Sequence, residues 1–313
     1  MDKKVLVTGG AGFIGSNIAK RLIRDGRRVL VLDNLATGHK NNIPAGADFI
    51  EGDISNYELV KNILSEVEAV YHLAASASVI IGAKNPVFDL ENNVKGTIVL
   101  LNAMRDSGVK KILFPSSSTV YGQSELPYVL QENQKLNPMS PYAVGKIADE
   151  YYLRSYANMY GLEPVIFRIF NAFGPGQDLD NSDQGITGYV IGCLLQDKEF
   201  VLHGDGSQTR DYIYVDEVAE AFVRAEKTPQ AVNQIMNLAC GARTSLNDWM
   251  NLIEEVSNKK IEKITGNQNR LADVMHYQAD NSKLQSILNF KPNIDFKNQL
   301  LKTIEWAKTE LNK

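Results

Sequence analysis

Short, almost wholly apolar runs alternate with amphipathic stretches through the first half of the chain. Lys4-Val5-Leu6-Val7-Thr8 and Arg28-Val29-Leu30-Val31-Leu32 have strand length, and residues 14–22 between them repeat apolar positions at helical spacing. Asp48-Phe49-Ile50, Ala69-Val70-Tyr71-His72-Leu73, Lys111-Ile112-Leu113-Phe114 and Pro164-Val165-Ile166-Phe167 continue the strand series, while residues 92–107 and 141–160 read as helices. Strands this apolar need cover on both faces, which predicts an α/β architecture with a doubly wound parallel sheet. After Asn171 the pattern loosens. Gly174-Pro175-Gly176 and Gly204-Asp205-Gly206 read as turns between shorter segments. A first domain over residues 1–171 and a smaller C-terminal lobe over 172–313 are expected, interleaved by a late strand at 234–238.

Composition narrows the class. A 313-residue chain that is 44% hydrophobic and 22% charged can bury a sizeable core. Its formal net charge is −4 and no dense basic run occurs, which argues against nucleic-acid binding. Met1-Asp2-Lys3-Lys4 leads into only a short apolar strand, and no run is long enough to span a membrane. A cytoplasmic protein is expected. Cys193 and Cys240 stand far apart without metal-ligand neighbours and read as small buried hydrophobes, so no metal site is expected.

Candidate chemistry begins at Thr8-Gly9-Gly10-Ala11-Gly12-Phe13-Ile14-Gly15, between the first strand and the first helix. Gly9, Gly12 and Gly15 permit a tight turn, close approach of backbone to a pyrophosphate, and tight packing of helix on strand. The helix N-terminus offers free N–H groups and positive potential to phosphate. Asp33 ends the second strand, where a carboxylate can accept from both adenosine ribose hydroxyls and repel a 2′-phosphate, so NAD is expected over NADP. Asp53 and Ile54 follow the third strand and could flank the adenine.

A second candidate is Ser140-Pro141-Tyr142-Ala143-Val144-Gly145-Lys146. Ser140 is a good cap and Pro141 suits the first helical turn. Tyr142 and Lys146, four apart, then share a face, where the ammonium favours ionisation of the phenol. Tyr57-Glu58-Leu59-Val60-Lys61 has the same spacing with nothing around it, and reads as a solvated helix face.

The glycine spacing, Ser117 and the Tyr142/Lys146 pair resemble the extended short-chain dehydrogenase/reductase family, and within it the nucleotide-sugar epimerases, above all those of UDP-glucose and UDP-galactose. Matching segments run nearly end to end: Leu32-Asp33-Asn34-Leu35, His72-Leu73-Ala74-Ala75, Asn93-Val94-Lys95-Gly96-Thr97, Ser116 to Gly122, Arg168-Ile169-Phe170-Asn171, Gly206 to Tyr212, and Arg270-Leu271-Ala272-Asp273 with Ala279-Asp280. The resemblance implies a Rossmann fold with NAD as cofactor, and a catalytic triad of Ser117, Tyr142 and Lys146. It implies NAD contacts at Phe13, Ile14, Asp33, Asn34, Asp53, Ile54, Leu73, Ala74, Ala75, Asn93 and Phe170. Asn171, Arg210 and Arg270 would hold the nucleotide diphosphate, in keeping with the planar fork that arginine offers phosphate. Tyr277, four beyond Asp273, would line the sugar pocket. A homodimer through the helices at 92–107 and 141–160 is implied as well.

The implied activity is C4 epimerisation of a UDP-hexose through a 4-keto intermediate, with Tyr142 as the proton acceptor and donor. From an ordinary phenol pKa of about 10, ionisation near pH 7 needs about 4 kcal/mol, which an ammonium and a positive nicotinamide can supply at low effective dielectric. Sister dehydratases and decarboxylases carry carboxylates where this chain has Ser118 and Thr119. Two alternatives stand beside this reading: a 4-epimerase of UDP-N-acetylglucosamine or UDP-glucuronate, and a non-catalytic NAD-sensing protein.

Overall fold

The computed structural model describes residues 3–123, 129–266 and 274–312. Strands β1 (Lys4–Thr8), β2 (Val29–Asp33), β3 (Asp48–Glu51), β4 (Val67–His72), β5 (Lys111–Ser117) and β6 (Glu163–Ile169) fall on the predicted apolar runs. Between them run α1 (Phe13–Arg24), α2 (Tyr57–Leu64), the short α3 (Val79–Lys84) and α4 (Pro86–Leu90), α5 (Gly96–Ser107) and α6 (Pro141–Tyr160). A π-helical turn, Glu91–Lys95, joins α4 to α5.

The later chain is built of smaller pieces. They are β7 (Asn171–Phe173), α7 (Ile186–Leu195), β8 (Phe200–Leu202), β9 (Thr209–Arg210), β10 (Tyr212–Tyr214), α8 (Val215–Glu226) and β11 (Ile235–Leu238). After them come β12 (Thr244–Ser245), α9 (Leu246–Ser257), β13 (Lys263–Thr265), α10 (Ser282–Leu288) and α11 (Phe296–Leu311).

The central sheet has seven strands in the order β11-β6-β5-β4-β1-β2-β3, and every pairing in it is parallel. The late strand expected at 234–238 is therefore its edge, with Ile235 opposite Ile166 and Leu238 opposite Ile169. Alternation along the strands explains the unbroken apolar runs. Val5 and Val7 point into one core with Ile18 and Leu22 of α1 and Phe222 of α8. Leu6 points into the other, with Val60 of α2, Leu100 of α5 and Leu153 of α6. Helix α8, which the sequence pattern leaves unassigned, thus serves the sheet rather than the second lobe. The lobe has its own core around Trp249, stacked on Tyr212 at 3.8 Å between ring centroids and joined by Phe173 and Phe200. Both cysteines are buried and unpaired.

The chain order reverses between β1 and β4, which opens a crevice at the carboxyl ends of those strands, the usual seat of a ligand in such sheets. Helix α6 is held against that edge by a buried clamp. Glu150 accepts from Arg168 at 2.9 Å and 2.8 Å and from the Ser116 hydroxyl at 2.5 Å. Arg168 also donates to the Tyr121 hydroxyl and to the carbonyl of Glu132. Removing one partner of a buried pair leaves the other charge uncompensated. Glu150→Ala should therefore lower unfolding free energy by roughly 3–5 kcal/mol in a urea titration. A loss below about 1 kcal/mol would show that α6 does not depend on the clamp.

Candidate active site

The nucleotide cradle follows from steric limits at the end of β1. Gly9 has φ +67°, and a Cβ there would sit 2.5 Å from the backbone nitrogen of Ala74. A Cβ on Gly15 would meet the Gly9 carbonyl at 2.2 Å. Only glycine lets the turn, α1 and the β4 loop approach this closely. Gly12 caps α1 with no side chain over its N-terminus. Phe13 and Ile14 begin α1 and are half-buried. Asn17, which the sequence did not single out, donates to the carbonyls of Phe13 and Pro175 and so ties the cradle helix to the second lobe.

Asp33 is where the sequence places it, at the end of β2. Its carboxylate accepts from the backbone of Ala11 at 2.9 Å and of Leu35 at 2.8 Å, and Leu35 takes φ +57° to make the turn. These bonds fix an anionic edge beside the cradle. Asn34 donates to Asp53 at 2.7 Å, which joins the two candidate adenosine contacts, and Ile54 is buried under Gly96.

Across the crevice, Leu73 and Ala74 donate backbone N–H groups to the Thr8 carbonyl and hydroxyl, and Ala75 follows them in the loop. Beneath them His72 bridges Thr8 at 2.8 Å and Thr97 at 3.1 Å. Burial, helped by the charge of Lys146, pushes the imidazole pKa down to about 3, so this histidine is a neutral strut. Asn93 lies in the π-helical turn and its amide is committed inward, to the backbone of Ser76 and to Asp89. It shapes the loop after β4.

The candidate reacting groups converge at the end of β5. Ser117 caps the turn Ser118–Tyr121, accepting from the Thr119 backbone at 3.2 Å and from the Thr119 hydroxyl at 2.9 Å. Ser140 caps α6 by accepting from Ala143, and the start of the helix brings Tyr142 to the Ser117 hydroxyl. Lys146 is 3% exposed, with its ammonium 4.5 Å from the Phe114 ring centroid and 5.9 Å from that of Tyr142. Burial raises the Tyr142 pKa above its ordinary value, and Asp89 and Asp149 add to this, while the hydrogen bond with Ser117 opposes it. Burial also lowers that of Lys146. The expected ionisation of Tyr142 by Lys146 is thus outweighed by desolvation in the chain alone. Tyr57 and Lys61 form no such site: they lie on the surface of α2, with Tyr57 bonded to Asp106.

Ser118, Thr119 and Ser140 are the near wall of a cavity of about 430 Å³ that runs toward the second lobe. Its far wall includes Asn171, Arg210 and Tyr277. Arg210 donates to the carbonyls of Thr209 and Val274, and its guanidinium lies 5.8 Å from the Tyr277 ring centroid. Phe170 packs between Tyr121 and Tyr277. Arg270 lies outside the described residues.

A glycine cradle at a sheet's reversal point, an aspartate at the end of the second strand, and a serine, tyrosine and lysine beside a cleft define a dinucleotide-dependent α/β enzyme. The profile of the NAD dependent epimerase/dehydratase family matches residues 5–239, and the chain belongs to that family, with NAD as its cofactor. It is 35% identical over 315 residues to a UDP-glucose 4-epimerase of Mycolicibacterium smegmatis, covering 98% of this chain and 99% of that one. Among solved structures, a UDP-N-acetylglucosamine 4-epimerase from Methanobrevibacter ruminantium, in complex with UDP-N-acetylmuramic acid, superposes with a TM-score of 0.92 at 36% identity, covering 99% of each chain. The UDP-glucose 4-epimerase of Thermus thermophilus, complexed with NAD, has a TM-score of 0.91 at 34% identity, covering 97% of this chain and 99% of that one.

The cradle fits NAD because its glycines leave room for a pyrophosphate, and Asp33 at the end of β2 would set its carboxylate against the extra phosphate of NADP. A charged hydrogen bond is worth about 1.5–3 kcal/mol. Calorimetric titration of nucleotide-free protein should accordingly show NADP binding at least ~10-fold more weakly than NAD. Equal affinities would remove Asp33 from the ribose site.

Proposed function

We propose that this chain interconverts UDP-glucose and UDP-galactose by inversion at C4. The observation that carries the reading is the grouping of Ser117, Tyr142 and Lys146 directly behind Ser118, Thr119 and Ser140, which line a cavity that Asn171, Arg210 and Tyr277 also line. Arg210 and Asn171 line the cavity and would hold the diphosphate, which would set the hexose toward Tyr142. When bound, NAD supplies the hydride acceptor and donor and a positive ring that lowers the barrier to ionising the phenol. Tyr142 takes the proton of the 4-hydroxyl and later returns it. Ser117 bridges the same oxygen, its own hydroxyl fixed by Thr119. Lys146 is buried beside the phenol and stabilises its anion. Elimination or decarboxylation would call for a further acid/base group beside Ser117, and Ser118 and Thr119 offer only hydroxyls.

Tyr277 supports the choice of plain hexoses. Its ring is 5% exposed, lines the cavity, and is braced edge-on by Phe170 at 6.1 Å. A braced ring fills the space that a 2-acetamido group would occupy. The same family includes a solved UDP-N-acetylglucosamine epimerase, so Tyr277 is the side chain on which this choice of substrate rests here.

No helix among the described residues is long and apolar enough to cross a membrane. Helices α4 and α6 leave Val87, Leu90, Val144, Tyr151 and Met159 exposed, a surface suited to a second copy of the chain.

Two results test the proposal. Tyr142→Phe should reduce turnover of UDP-glucose by ~10²–10⁴, as expected for a positioned acid/base group, while Lys61→Ala leaves it unchanged. Retention of most activity by Tyr142→Phe would overturn the assignment. Steric rejection by Tyr277 is worth ~1–3 kcal/mol, so NMR of C4 inversion should find UDP-N-acetylglucosamine turned over roughly 10–200-fold less efficiently than UDP-glucose. Tyr277→Ser should close that gap with little loss on the hexose. Equal rates in the unmodified enzyme would refute the role of Tyr277 without touching the epimerase reading.

A further inference from the structure

Asp149 is 1% exposed, and neither of its carboxylate oxygens makes a hydrogen bond of ordinary geometry, although the Thr97 hydroxyl is near enough to favour its charged form. A group so placed costs stability. It follows Tyr142 and Lys146 at i+7 and i+3 on α6, so the three share one face. The other acids nearby are engaged: Glu150 by Arg168 and Ser116, and Asp89 by the Asn93 amide. Lys146, itself almost wholly buried, has its ammonium against the Phe114 ring and, among the described residues, no carboxylate within salt-bridge distance.

We propose that Asp149 is a positioning residue for the Lys146 ammonium: shielded from water one turn behind it, the carboxylate supplies the through-space counter-charge that keeps Lys146 protonated in the site. The inference rests on the reading of Tyr142 and Lys146 as the reacting pair. Burial lowers the pKa of Lys146, and Asp149 is foremost among the charges that oppose this, ahead of Asp89 on α4 and Glu150. Asp149 is itself pushed up to about 6 by burial, against the charge of Lys146 and the Thr97 hydroxyl on α5, with Asp89 and Glu150 adding to the rise. It is therefore ionised through the neutral and alkaline range in which Lys146 needs support. His72 on β4 is neutral there, and Arg168 on β6 is held by Glu150. Asp149 also disfavours the Tyr142 phenolate, but it is the last of the causes acting on that group.

Asp149→Asn keeps the shape and removes the charge. The alkaline limb of kcat should move to lower pH by about one unit, with KM for UDP-glucose unchanged, and Asp149→Glu should keep the wild-type limb. Because the folded pKa of Asp149 lies above the unfolded one, its cost to stability is full above pH about 6, fades as pH falls from there toward the ordinary carboxylate value, and is gone below it. Asp149→Asn should thus raise Tm at pH 8 and leave it unchanged near pH 3. A higher Tm with an unmoved alkaline limb would show the carboxylate to be idle. A lower Tm with activity reduced equally at every pH would show it to be structural. Either overturns the proposal. Full activity in Tyr142→Phe would instead overturn the reading beneath it.

Discussion

The buried contact between Glu150 and Arg168 is the constraint on which the site's geometry depends. Glu150 sits one turn beyond Lys146 and two beyond Tyr142, so its fork on Arg168 fixes the rotation of α6 about its own axis. The same carboxylate accepts from Ser116, the neighbour of Ser117, and the same guanidinium reaches Tyr121 at the end of the turn that Ser117 caps. One ion pair therefore registers the helix that carries the phenol and ammonium against the strand that carries the hydroxyl. Desolvating two charges is expensive, and a pair of this kind persists because further hydrogen bonds occupy its remaining lone pairs and protons. Its contribution here is geometric.

Around that frame the chain assembles charges that water does not screen. Burial lowers the pKa of Lys146, raises that of Tyr142 and holds His72 neutral, all within one small region of the fold. Such a site is poised rather than ready: burial favours the protonated phenol, and positive charge additional to Lys146 would shift it toward the anion. Low effective dielectric makes each added charge count for more than it would in water. Ser117 and Thr119 form a short hydroxyl chain at the same place, and they carry no charge of their own to offset.

Much of this was legible in the sequence because the physics was local. The β-strands of the main sheet are buried on both faces, and unbroken apolar runs report that directly. Gly9, Gly15 and Asp33 stand at positions fixed by the turn between β1 and α1 and by the end of β2. The Tyr142/Lys146 pair was legible only as a spacing. Tyr57 and Lys61 share it, yet end on the surface, and what separates the two is the clamp at Glu150 and the serine on β5. Contacts between distant segments left no mark on the pattern: Asn17 to Pro175, His72 to Thr8 and Thr97, α8 packing on α1. Asp149 looked like an ordinary helical acid. Its burial is set by α4 and α5 closing over α6, which no window of the sequence displays.

The central claim is that hydrogen leaves C4 of a UDP-hexose and returns to the same carbon on its other face without meeting water. UDP-glucose deuterated at C4, incubated with the enzyme in ordinary water and followed by NMR, tests this directly. The account predicts UDP-galactose with the deuterium still at C4. Product carrying solvent hydrogen at C4, or unchanged UDP-glucose after prolonged incubation with NAD present, would contradict it.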